Sequence, residues 1–150
     1  MSKLSENHVA IVDGTTMYSK NVHTLSQYKH KALKPSTNKK LGRKVVKGKL
    51  AGMPIYTLTL EERATCDRAC EHWRDCYGNN MPFAHRIDVE GLEARLDAEL
   101  DALDLKHKRG YLVRLHVLGD FYSPDYVRFW HRQVAKRDKL HVYGYSRHHP

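Results

Sequence analysis

Within the stretch TCDRACEHWRDCYG stand Cys66, Cys70 and Cys76, spaced Cys-x3-Cys-x5-Cys, and the rest of the chain has no cysteine. Three thiols gathered in a polar segment are poor candidates for small buried hydrophobes. As thiolates they are metal ligands, and two chemistries compete for them. A four-iron cluster wants four ligands, so three cysteines leave one iron open to a substrate or cofactor. A structural zinc needs a fourth protein ligand, which His72 inside the segment or His85 beyond it could supply. The familiar three-cysteine, one-histidine finger would place its histidine where Asn80 stands. No Ser-His-Asp arrangement, phosphate loop or G-x-G-x-x-G motif offers a rival chemistry.

The elements around the thiols must position them. MPIYTLTL, residues 53–60, reads as a strand leading directly into the cysteine segment. Leu92, Leu96, Leu100 and Leu103 then recur at helical spacing beside an acidic face, a stripe suited to core packing. Lys106 to Arg109 suit the end of that helix, and Gly110 its stop. YLVRLHVLGD is a buried strand, SPDYVRFWHRQVAKR a second helix with Ser123 as N-cap and Pro124 in its first turn. KLHVYGYS is a third strand. This alternation predicts βαβ units and a parallel sheet.

In such architectures ligands collect beyond the C-terminal ends of the strands. There the sequence places the cysteine segment, Gly119-Asp120-Phe121-Tyr122, and Tyr145-Ser146-Arg147. Asp120 has a second reading as a cap of the turn before the helix, and mid-strand His116 reads as a hydrogen-bonded core residue. Three strands and two helices make about half of a closed βα barrel. The expectation is therefore an α/β fold, a partial barrel with parallel strands over residues 44–150, as part of a longer protein.

Charge is unevenly placed. Residues 1–50 hold eleven Lys or Arg against two acids, whereas residues 51–150 are balanced, so the net charge of +9 belongs to the N-terminal third. With weak periodicity and many turn formers, residues 1–43 are expected to form a basic, loosely packed arm. Such an arm suits nucleic acid or another polyanion, although few aromatics are interleaved to stack on bases. No apolar run reaches a membrane span, and the N-terminus lacks a signal-peptide core, which points to the cytoplasm and reduced thiols.

In combination, MPIYTLTLEERATCDRACEHWRDCYGNNMPFAHR, RLHVLGDFYSPDYVRFWHR and HVYGYSR resemble the phage and prophage "gene product 88" family. The likeness covers roughly residues 40–148, and members of that family continue past this point. The layout also resembles the radical S-adenosylmethionine (SAM) enzymes, whose three-cysteine loop after the first strand holds a [4Fe-4S] cluster. This second resemblance implies a radical-SAM-type barrel, Cys66, Cys70 and Cys76 as cluster ligands, and Gly119 and Asp120 against the methionine moiety of SAM. The usual spacing is Cys-x3-Cys-x2-Cys, with an aromatic residue before the last cysteine. Here that place is held by Asp75, with Trp73 and Tyr77 flanking, and Tyr77 is the aromatic assigned to the cofactor. Three functions follow as expectations: an iron–sulfur protein acting on an unknown substrate, a zinc-stabilised nucleic-acid-binding protein, or a phage interaction protein without catalysis.

Overall fold

The computed structural model describes residues 3–147. A four-stranded sheet has the order β2 (Lys34–Pro35), β3 (Ile55–Leu58), β5 (Tyr111–Leu115), β6 (Leu140–Gly144). β3, β5 and β6 run parallel, as the alternation requires, with Tyr56 opposite Val113 and Val113 opposite Val142. The chain passes from β3 through a short helix α2 (Glu62–Thr65), the cysteine segment, strand β4 (Arg86–Ile87) and helix α3 (Leu92–Lys106) to reach β5. Helix α4 (Pro124–Lys136) then connects β5 to β6. The Ser123 hydroxyl accepts from the Tyr126 amide at 3.1 Å, the N-cap expected of SPDY.

One sheet face supplies Tyr56, Leu58, Val113 and Leu115 to the core, where they cluster with Leu92, Leu96, Leu100 and Leu103 of α3. Tyr126, Phe129 and Trp130 of α4 complete that layer. Arg137, just past α4, ties the two helices together by pairing with Asp97, Asp101 and Asp104 at 2.6–2.8 Å. Thr57 and Arg114 alternate onto the opposite face.

Two expectations are corrected. The first is the loosely packed arm. Leu25, Tyr28, Ala32 and Leu33 are buried in the main core, and β1 (Val22–His23) pairs in parallel with β4. The buried Glu99 carboxylate of α3 accepts from the amides of Ala32 and Leu33 at 2.9 and 3.0 Å. Local periodicity could not show this, because the apolar residues here pack against distant elements and not along a helix or strand of their own. Helix α1 (Val9–Val12) lies still earlier, and the Arg68 guanidinium of the cysteine segment donates to its Val12 carbonyl at 2.8 Å. The second correction concerns the sheet, which is open and mixed. β2 adds to β3 antiparallel, with Lys34 opposite Thr57, so a strand from the presumed arm occupies one edge of the parallel set. No helix among the described residues is long and apolar enough to cross a membrane.

Candidate functional site

The cysteine segment leaves the C-terminal end of β3 through α2. Glu61 caps that helix by accepting from the Arg63 amide at 2.8 Å, and Cys66 follows its last turn. Beyond Cys66 the backbone is a series of tight turns, with the Asp67 carboxylate accepting from the Ala69 amide at 2.9 Å. The Cys70 amide donates to the Asp67 carbonyl at 3.0 Å and the Trp73 amide to the Cys70 carbonyl at 3.0 Å. Cys76 opens a short 3-10 turn, Tyr77–Asn80, its sulfur accepting from the Gly78 amide at 3.4 Å.

Two arginines fasten this segment from within. Arg63 stacks over the Trp73 ring at 4.7 Å, donates to the Trp73 carbonyl, and donates to the Asn79 side chain at 2.8 Å. Arg86 is fully buried and pairs with the buried Glu62 at 2.9 Å. Its remaining donors reach the carbonyls of Gly78, Met81 and Ala84 at 3.1, 3.0 and 2.9 Å, holding the far end of the segment. The other Glu62 oxygen accepts from the Thr16 hydroxyl at 3.2 Å.

This anchoring places Cys66, Cys70 and Cys76 in the wall of one cavity of about 420 Å³ with Tyr77, Gly119 and Asp120, and with His116, Tyr145 and Arg147 from the other strand ends. The three candidate regions thus share one face. All three cysteines are free, and each is partly exposed. Among the described residues no group of three or more His, Cys, Asp or Glu side chains stands in metal-binding geometry. His72 lines the same cavity. His85 does not: it lies against His23 at 4.8 Å and Tyr28, so the structure does not bring it to the thiols.

Burial pushes the Cys66 thiol up to about 12, with further upward pressure from Asp120, Cys76 and Cys70. Cys76 is raised as well, first by burial and also by Glu62 and Cys70. The thiols therefore sense one another and two carboxylates. As thiolates they would repel, and a multivalent cation among them would relieve that repulsion, so the donor set suits a thiophilic metal or cluster. In the metal-free chain, Cys66 should alkylate at least about tenfold more slowly at pH 8.5 than in the unfolded chain, read by mass spectrometry after iodoacetamide pulses. The sign for stability follows: the raised folded value makes the folded state lose stability as pH climbs from 9.0 toward about 12.

Asp120 is 3% exposed. Its carboxylate accepts from the Phe121 amide at 2.7 Å and the Arg147 amide at 2.8 Å, binding the end of β5 to the end of β6. Asp120 thus joins the turn after β5 to the end of β6, while Ser123 caps α4. Tyr77 donates its hydroxyl to the Val117 carbonyl, which locks the cysteine segment onto the same strand end. His116 is buried, with Nε2 2.8 Å from the Tyr126 hydroxyl, the hydrogen-bonded core residue expected. Its Nδ1 has no hydrogen-bond partner among the described residues, and burial lowers its pKa to about 4, so the ring is neutral near pH 7.

Sequence reasoning missed Glu62, Arg63 and Arg114 as cavity residues. For Arg114 there was a signal, a lone charge inside the apolar run YLVRLHVL. For Glu62 and Arg63 there was none, since EER reads as an exposed helix start.

The open α/β sheet and the thiol-lined cavity at its strand ends define a mixed α/β protein with a cleft suited to a ligand. The sequence model of the family described as Gene product 88 matches residues 23–150, and the chain belongs to that family. The match begins within β1, so the family includes the N-terminal segment that packs into the core. No curated protein and no solved structure matches the sequence.

Proposed function

We propose that the chain is an iron–sulfur protein in which Cys66, Cys70 and Cys76 hold a four-iron cluster, related in layout to the radical SAM enzymes and built on part of a βα barrel. The observation that carries this reading is the co-location of all three thiols with Gly119, Asp120 and Tyr77 in one cavity at the ends of parallel strands. Bound there, the cluster would supply an iron open to an exogenous ligand. The chain's own residues define the rest of the cleft. Asp120, Tyr77, Trp73 and His116 line it with one carboxylate, two rings and a neutral imidazole. SAM is the occupant we propose for this cleft, and the substrate is left open.

Anaerobic reconstitution with iron and sulfide tests the reading. The wild-type chain should take up about four irons and show visible charge-transfer absorption, and each of Cys66→Ala, Cys70→Ala and Cys76→Ala should abolish both. Stoichiometric zinc with no iron uptake would instead favour a structural zinc site with His72 as the fourth ligand. Calorimetry with SAM on the reconstituted protein separates an enzyme-like site from a cluster carrier.

A further inference from the structure

On the sheet face opposite α3 and α4 lies a second cavity of about 550 Å³, within the range of small-ligand sites. Strand register decides what lines it. Lys34 of β2 stands opposite Thr57 of β3, and Thr57 stands opposite Arg114 of β5. Two cations therefore flank one threonine across three adjacent strands, their Cα atoms roughly 10 Å apart. Both are half-buried, and among the described residues neither forms an ion pair with a carboxylate. Lys34 Nζ instead sits 5.1 Å from the Tyr28 ring centre. Among the described residues no Asp or Glu lines this cavity. Half-buried cations without counter-charges lose hydration, and an anion held between them would restore the balance.

At the rim is Phe83, 91% exposed and projecting from the loop after the cysteine segment. An aromatic face that exposed, beside paired cations, suits a nucleobase adjoining a phosphate. The exposed Lys39, Lys40 and Lys44 continue the positive charge from the same segment as Lys34. The sequence separates Lys34 from Phe83 by nearly fifty residues, and the fold brings both to one cavity.

We infer that this cavity binds a nucleoside phosphate, its phosphate between Lys34 and Arg114 and its base on Phe83. Arg114 also lines the thiol cavity, so the ligand would lie beside that site, but the inference does not rest on any metal there. A free nucleotide and a single strand of nucleic acid share this chemistry.

Two probes distinguish them: thymidine 5′-monophosphate by calorimetry, and a labelled ten-residue oligothymidylate by fluorescence anisotropy at two salt concentrations. Arg114→Gln and Lys34→Gln should each weaken binding about tenfold or more, and Phe83→Ala about fivefold or more. Lys47→Gln, which is not part of the cavity lining, serves as the control and should leave affinity within about twofold. Tight monophosphate binding with no gain for the oligomer identifies a free nucleotide. Tighter, salt-sensitive oligomer binding identifies a strand. Either outcome supports the site. Absence of binding by both probes to the wild type overturns it, as does wild-type affinity in the cavity variants. If Arg114→Gln fails to fold, Phe83→Ala decides alone, because that ring is exposed. Iron uptake, measured separately on the same preparations, shows whether the thiol site stands or falls independently.

Discussion

Replacing Arg86 with Met should destabilise the folded chain by about 3–5 kcal/mol, measured by urea or thermal unfolding. The guanidinium is 0% exposed and is the cation facing Glu62, itself only 4% exposed. Removing it leaves a carboxylate in a low-dielectric site where, among the described residues, the Thr16 hydroxyl at 3.2 Å is the side-chain donor that remains. It also takes a donor from the carbonyls of Gly78, Met81 and Ala84, of which the first two keep the amides of Met81 and Ala84. An unmet buried acceptor costs about 1–3 kcal/mol, so the Ala84 carbonyl adds to the loss from the unpaired charge. The double variant Glu62→Met, Arg86→Met should recover a good part of it, since an apolar pair removes the uncompensated charge. A single-variant loss below about 1 kcal/mol would show that the cysteine segment does not depend on this anchor.

Gly119→Ala should cost about 2–4 kcal/mol, from two causes acting together. Its φ of +88° lies in the region that residues with a Cβ adopt only under strain. A Cβ built there would stand 2.7 Å from Leu60 Cβ and 2.7 Å from Thr65 Oγ1. Both neighbours belong to the connection between β3 and the cysteine segment, and Thr65 Oγ1 also accepts from the Asp120 amide at 3.1 Å. The resemblance to radical SAM enzymes set Gly119 against the methionine moiety of a cofactor. In the structure its small size first lets the end of β5 approach the end of β3. Unfolding curves of the variant test the energetic claim, and a loss below about 0.5 kcal/mol would mean that the turn relaxes freely.

The order β3, α3, β5, α4, β6 was legible from the start. Leu92, Leu96, Leu100 and Leu103 announce α3 because helical spacing repeats every turn, and Ser123-Pro124 announces α4 because capping chemistry is local. The parallel strands followed from the helices between them. Once those strands were parallel, the shared face of the thiols, Gly119-Asp120 and Arg147 followed too, because each succeeds the C-terminal end of a strand.

What sequence alone left open involves partners far apart along the chain. Nothing local marks Leu25, Tyr28 or Leu33 as core, since their burial depends on α3 and the main sheet, and so the arm was misjudged. Glu62 and Arg86 are ordinary surface residue types, and only the close approach of α2 to β4 turns them into a buried pair. Few aromatics are interleaved in the basic arm, but Phe83 reaches the Lys34 cavity through the fold. Patterns of spacing determine elements because backbone hydrogen bonding is local. The environment of a charge is decided by tertiary structure, because desolvation depends on every segment that packs around it.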